Sequence, residues 1–296
     1  MIVSASRRTD IAAFYSKWFL NRVRAGWCLV PNPFNANQVS RVSLCAPDVD
    51  ALVFWSRNPR PLMKNLSELD DLGLRYYFLF TLVGYPRALE PGAPPLGPRI
   101  ETFLELSARL GPHRTIWRYD PIVLSQVSGI AFHEDNFQML ARELRGATAR
   151  CIISFVRPYR KARARMEAAV AGCTDPADCN SPRVRGLLRT ISRIGMENQI
   201  EVFSCAMKED FSPYGIYPSS CIDAQLISKL FGIKIVASKD SCQRTECGCA
   251  PSRDIGIYDT CLFGCSYCYA TSSFERARAN HARHDPDFAS LLPPLK

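Results

Sequence analysis

Two hydrophobic patterns alternate along the chain. Short runs of apolar, β-branched and aromatic residues read as buried strands at Ile2–Ser6, Ala51–Trp55, Tyr76–Val83, Thr115–Trp117, Cys151–Val156, Ile200–Ser204 and Ile233–Ala237. Between them lie segments with apolar residues at helical spacing: Phe14–Ala25, Arg99–Leu110, Phe132–Leu144, Val184–Ile194 and the shorter Ile222–Leu230. In Val184–Ile194 the apolar stripe is Val184, Leu187, Leu188 and Ile191. Gly26, Gly111, Gly146, Gly195 and Gly232 follow these segments, where a left-handed residue can end a helix.

Strands alternating with helices predict parallel βα units. A doubly wound sheet and a barrel both satisfy that pattern, and the strand ends favour the barrel. Ile2–Ser6 runs into Arg7, Arg8 and Asp10, Ala51–Trp55 into Ser56, Arg57 and Asn58, and Thr115–Trp117 into Arg118 and Asp120. Cys151–Val156 runs into Arg157, and Ile200–Ser204 into Cys205. In a barrel these ends converge on one mouth, where active sites form. The expected fold is therefore α/β, a complete or partial (β/α) TIM-type barrel. Residues 1–240 supply barrel units, and a cysteine-rich segment, 241–296, completes the same barrel. Glu90–Pro98 and Gly172–Pro182, the latter with Cys173 and Cys179, read as long loops, and Ser290–Lys296 as a loosely held tail.

Composition narrows the class. With 47% hydrophobic and 22% charged residues in 296, the chain can bury a sizeable core without disulfides. No apolar run is long enough for a bilayer, and the first ten residues lack a signal-peptide core. No membrane partner and a cytoplasmic location are expected. In that compartment the 13 cysteines point to metal or catalysis rather than disulfides. The net charge of +9 fits either a basic soluble surface or an anionic partner such as nucleic acid or a phosphorylated substrate. Only Arg157–Arg165 and Arg276–Arg283 are densely basic.

The cysteines cluster near the C-terminal end in two groups, Cys242-x4-Cys247-x-Cys249 and Cys261-x3-Cys265-x2-Cys268. Arg253–Asp259 between them is a short strand candidate, and Ala270–His284 after them a polar helix candidate. The second group thus sits on a strand-to-helix loop. Three thiolates on one loop suit a cubane [4Fe–4S] cluster with its fourth iron open. Gly264 allows a tight bend, and Tyr267 and Tyr269 can shield the site from water. A structural zinc site is the alternative, but zinc ribbons pair two Cys-x-x-Cys knuckles and the second knuckle is missing here. Cys247 and Cys249, with Gly248 easing the turn between them, form the next strongest ligand pair. With Cys221 and Cys205, or with Cys242, they leave room for a second cluster. The remaining reading is that they are buried free thiols.

Cys-x-x-x-Cys-x-aromatic-Cys resembles the signature of radical S-adenosylmethionine enzymes, in which the motif follows the first barrel strand. Its late position here resembles a circular permutation, which a closed barrel tolerates when its chain ends lie close together. The whole chain also resembles a bacterial family designated domain of unknown function 1848. The matching stretches are Ser4–Asp10, Asn32-Pro-Phe-Asn35, Phe54–Pro59, Trp117–Ile122, Gln243-Arg244, Cys247-Gly-Cys249 and Asp254–Cys261. Trp117-Arg-Tyr-Asp-Pro121 is in addition similar to a strand end in spore photoproduct lyase-like enzymes, which repair DNA.

The radical-enzyme resemblance implies S-adenosylmethionine at the open iron, a small-molecule or nucleic-acid substrate in the barrel mouth, and an electron donor such as flavodoxin or ferredoxin. Ser4 and Ser6 take the place of the missing glycine-rich loop for the methionine end. Arg7, Arg8, Arg57 and Arg118 suit carboxylate or phosphate groups, and Asp10 and Asp120 suit ribose hydroxyls, an amine or an arginine. An internal ion-pair network is the competing role for all six. Two other classes stay open: a non-enzymatic or regulatory metal-binding module, and an iron–sulfur oxidoreductase that uses no S-adenosylmethionine.

Overall fold

The computed structural model describes residues 1–157, 159–170, 178–236 and 238–294. Cys173, some of the Gly172–Pro182 loop, Ala237 and the last two residues of the tail lie outside the described residues. In chain order the elements are β1 (Ile2–Ala5), α1 (Ile11–Phe14), α2 (Ser16–Ala25), β2 (Trp27–Asn32), β3 (Asn35–Ser43), β4 (Ala51–Ser56), α3 (Arg60–Met63), α4 (Leu66–Asp71), β5 (Tyr76–Thr81) and α5 (Leu96–Leu110). There follow β6 (Thr115–Ile122), α6 (Ile130–Glu143), β7 (Arg150–Phe155), α7 (Arg160–Ala169), α8 (Pro182–Glu197), β8 (Glu201–Cys205), β9 (Tyr217–Ser219), α9 (Ala224–Phe231), β10 (Ser252–Asp254) and α10 (Phe274–Ala282).

Eight strands form one sheet in the order β10-β1-β4-β5-β6-β7-β8-β9, and every neighbouring pair is parallel. The last strand returns to pair with the first, Ile2 opposite Ser252 and Ser4 opposite Asp254. Among the described residues β9 and β10 are not paired, so the sheet does not close. The α/β class and the parallel sheet are as expected, and a closed barrel is not seen.

The strands read as continuous apolar runs because both faces are buried. Val3, Leu52, Phe54, Phe78, Phe80 and Trp117 belong to a core that also holds Phe19 of α2, Phe103 of α5, Phe137 of α6 and Leu187 of α8. The alternate residues Ile2, Val53, Trp55, Tyr77, Leu79, Ile116 and Ile152 belong to a second core. There they meet Leu226 and Ile227 of α9 and the cysteines Cys205, Cys221, Cys247 and Cys249. Period-two alternation thus sorts side chains between two apolar layers rather than between core and water.

Two expectations need correction, and a strand and a hairpin add to them. The expected strand Ile233–Ala237 is not seen over its described residues, where Ile233 and Ile235 pack against the second core beside α9. The seventh parallel strand is instead the short, polar Tyr217–Ser219, which no apolar run announces. Trp27–Asn32 and Asn35–Ser43 form an antiparallel hairpin outside the main sheet. Gly195 does not stop a helix, since α8 continues to Glu197. A Cβ at Gly195 would lie 2.5 Å from Val202 Cγ2 and 2.7 Å from the Ile200 carbonyl, so glycine is there to let the helix approach β8. Among the described residues no helix is long and apolar enough to cross a membrane.

The two glycines of α8 give a paired test. Gly195→Ala is expected to cost about 1–3 kcal/mol in urea unfolding through overpacking. Gly186→Ala, with open space around its Cβ, is expected to be neutral or to stabilise by up to about 1 kcal/mol.

Candidate functional site

The strand ends and the cysteine segments enclose a cavity of about 470 Å³. Its lining contains Ser6, Arg7, Arg8, Asp10, Arg57, Arg118, Asp120 and Tyr267, together with Cys205, Cys221, Cys247, Cys249, Cys261, Cys265 and Cys268. Side chains drawn from both ends of the chain therefore share one space. Ser4 is the exception: it is fully buried and does not reach the cavity.

Asp254, the last residue of β10, organises this end of the sheet. Its carboxylate accepts hydrogen bonds from Ser4 Oγ at 2.6 Å, Ser6 Oγ at 2.8 Å, the Arg7 amide at 2.8 Å and the Gly256 amide at 2.9 Å. Both serine hydroxyls expected at a cofactor are thus donated to Asp254. Ser6 Oγ also accepts the Arg8 amide at 2.8 Å. The turn after β1 is locked to the strand that carries the cysteine loop.

Asp10 does the same for the neighbouring strand pair. It caps α1 by accepting from the Ala13 amide at 3.0 Å, and it accepts Ser56 Oγ and the Arg57 amide, both at 2.8 Å. Burial pushes its carboxyl up to about 6, against the lowering pull of the Arg57 amide, Ser56 and the Ala13 amide. Asp10 therefore joins the β1 and β4 ends. Asp120 pairs with Arg118 and accepts from Ser154 Oγ, linking the β6 and β7 ends. For these acids the internal network is the role observed.

Arg57 points at the cysteine loop. Its Nη1 lies 2.6 Å from Glu90, and its Nη2 donates to Tyr267 Oη at 2.6 Å. Tyr267 in turn donates to Glu90, which also holds Arg99 at 3.3 Å. Burial works to lower the Arg57 pKa, but Cys265, Glu90 and Tyr267 outweigh it and raise it well above the usual value. Glu90 and Arg99 were not legible as site residues. The proline-rich stretch marked a loop, and nothing local showed that its first carboxylate is completely buried.

Gly264 turns the cysteine loop with φ +66°. The loop is braced from outside by Arg165 of α7, whose guanidinium donates to the Thr271 carbonyl at 2.5 Å and to the carbonyls of Ser266, Cys268 and Ser272. Within the basic run Arg157–Arg165, Arg157 pairs with Glu246 at 3.3 Å and Arg165 serves the loop, so some of that charge is used internally. While they are free thiols, burial pushes Cys265 up to about 12 and holds Cys261 well above the ordinary thiol range. A thiophilic metal would have to displace those protons.

The other cysteines converge from three places: Cys205 ends β8, Cys221 follows β9, and Cys247 and Cys249 precede β10. Cys205 Sγ and Cys221 Sγ are 3.5 Å apart, and Cys249 Sγ accepts from the Ile222 amide, next to Cys221, at 3.4 Å. As acceptor from the Cys221 and Cys247 thiols, Cys249 is held well below the ordinary thiol range. A Cβ at Gly248 would lie 2.7 Å from Ser220 Oγ, so glycine lets the Cys-x-Cys turn close onto the segment carrying Cys221. Cys242 lines the cavity but is exposed. Among the described residues, no set of three or more His, Cys, Asp or Glu side chains is already gathered as a metal-ion site.

The sequence pattern of the family described as Domain of unknown function (DUF1848) matches residues 2–270. The chain belongs to that family. The matched span takes in both cysteine groups and every residue that lines the cavity. No curated protein matches the chain. Among solved structures, hydroxymethylglutaryl-CoA lyase from Pseudomonas aeruginosa is similar at 12% identity with a TM-score of 0.32, over 54% of this chain and 45% of that one. The chain thus spans less than half the length of that structure.

Two substitutions test the network. Glu90→Gln leaves Arg57 and Arg99 buried without their anion and should cost about 3–5 kcal/mol in anaerobic urea unfolding. Asp10 has its folded pKa raised, so the native state binds the extra proton and stability falls as pH rises from about 4 to about 7. A shift from 3.8 to about 6 corresponds to on the order of 3 kcal/mol. Asp10→Asn removes that titration, so the stability of the variant relative to wild type should rise by up to that amount between the two pH values.

Proposed function

We propose that this chain is an iron–sulfur enzyme of the radical S-adenosylmethionine type. One observation carries the reading: Cys261, Cys265 and Cys268 line the same cavity as the arginines that follow β1 and β4 and Arg118 within β6. The strand order supports it. In a permuted barrel the strand before the cysteine loop must stand beside the chain's first strand, and β10 pairs with β1. On this reading the eight-stranded sheet is a TIM-type barrel, open between β9 and β10, with 241–296 as its completing segment.

The donor set fits a [4Fe–4S] cluster. Three thiols on one loop, a tight turn at Gly264, and the guanidiniums of Arg57 and Arg165 beside the loop suit a site that carries negative charge once its thiols ionise. When bound, such a cluster supplies the electron for reductive cleavage of S-adenosylmethionine, drawn from a donor such as flavodoxin or ferredoxin.

The chain's own residues supply position and exclusion of water. Glu90 and Tyr267 fix Arg57 against the Cys265 side of the loop. Asp254, through Ser4 and Ser6, sets the turn that presents Arg7 and Arg8. These guanidiniums favour a substrate with a carboxylate or phosphate, whether a small molecule or a nucleic acid. Both serine hydroxyls bond to Asp254, and Ser6 also lines the cavity.

The test is anaerobic reconstitution with iron, sulfide, S-adenosylmethionine and a strong reductant. Wild type should form 5′-deoxyadenosine, and the Cys261→Ala, Cys265→Ala, Cys268→Ala triple variant should stay at background. An iron- and sulfide-loaded wild type that forms no more than the triple variant would overturn the reading.

A further inference from the structure

Cys205, Cys221, Cys247 and Cys249 are a second concentration of metal-ligating side chains on the cavity, and the function proposed above does not use them. They come from three separate segments, so their convergence is a property of the fold. The backbone joins two of these segments directly. The Ile222 amide donates to Cys249 Sγ at 3.4 Å, and the Ala250 amide donates to the Ile222 carbonyl at 3.0 Å. Each of the four side chains is at most 8% exposed.

Buried cysteines are commonly small hydrophobes, and Cys28 and Cys151 fit that role within the helix-packed core. The four differ in their neighbours. Arg7 faces Cys249 and Cys221, and Arg118 faces Cys221 and Cys205. Among the described residues, Arg7 Nη2 and Arg118 Nε are buried without a hydrogen-bond partner. A buried donor left unused is costly, more so when it is charged. Four thiolates on a [4Fe–4S]2+ core carry a net charge of about −2, which Arg7 and Arg118 would partly offset, Arg118 being already paired with Asp120. An all-sulfur donor set without carboxylate or imidazole selects soft metals and iron–sulfur clusters.

We propose that Cys205, Cys221, Cys247 and Cys249 ligate a second iron–sulfur cluster on the same cavity, with Arg7 and Arg118 as its charge-balancing neighbours. Four cysteines complete the coordination of such a cluster, unlike the three of the Cys261 loop. The site sits in the layer shared by β8, β9 and the approach to β10, so it ties together the two strands that the sheet leaves unpaired. This inference does not rest on S-adenosylmethionine chemistry.

The experiment compares full-length proteins reconstituted anaerobically with iron and sulfide, read by metal and sulfide analysis and Mössbauer spectra. The Cys261→Ala, Cys265→Ala, Cys268→Ala variant should keep about half the wild-type iron and sulfide, and Cys247→Ala, Cys249→Ala should lose about half. Combining all five should abolish binding. Cys205→Ser, a single-atom change placed in the triple-alanine background, should alter the remaining cluster's spectrum even where the double variant folds poorly by circular dichroism. The proposal is overturned if the triple-alanine protein holds no iron and sulfide, if it holds zinc without sulfide, or if its spectrum ignores Cys205→Ser. The nucleoside assay above reports separately on the Cys261 loop, so either reading can fail alone.

Discussion

The carboxylate of Asp254 ties the last strand of the sheet to the first. Asp254 closes β10 and accepts hydrogen bonds from Ser4, Ser6, the Arg7 amide and the Gly256 amide. β10 is only three residues long and meets β1 through three residue pairs, which is little sheet to fix a strand. The side-chain bonds of Asp254 add what the short ladder lacks, since charge-assisted hydrogen bonds are stronger than neutral ones. The loop of Cys261, Cys265 and Cys268 follows that anchor and is also held by Arg165 and, through Tyr267, by Arg57 and Glu90.

Around the anchor the acids and arginines divide their labour. Asp10, Asp120, Glu90 and Asp254 face inward and join neighbouring strand ends, each taking several donors. Arg57, Arg118 and Arg7 are thereby held toward sulfur: Arg57 toward Cys265, Arg118 toward Cys221 and Cys205, Arg7 toward Cys249. Arg57 and Arg118 each keep a carboxylate partner as well, Glu90 and Asp120.

Long apolar runs such as Ala51–Trp55 and Tyr76–Val83 were legible because a parallel strand buried on both faces has to be apolar at nearly every position. Tyr217–Ser219 and Ser252–Asp254 were harder, because edge strands of three residues draw stability from side-chain anchors and neighbours rather than from their own apolarity. The basic run ending at Arg165 looked like a surface for an anion, and in the fold that guanidinium is used on four carbonyls of the cysteine loop. Glu90 carried no local sign of its role, since its partners Arg57 and Tyr267 lie 33 and 177 residues away.

The sequence by itself determined the α/β class, the parallel strands that carry the arginines, the family and the spacing of Cys261, Cys265 and Cys268. Those features are local: periodicity, strand ends and ligands on one short loop repeat within a few residues. The tertiary structure alone decided that Ser4 and Ser6 serve Asp254, that Glu90 belongs to the site, and that Cys205, Cys221, Cys247 and Cys249 meet. Each of these depends on a contact between distant segments, brought together when β10 returns to β1 and the Cys-x-Cys turn packs against the segment after β9.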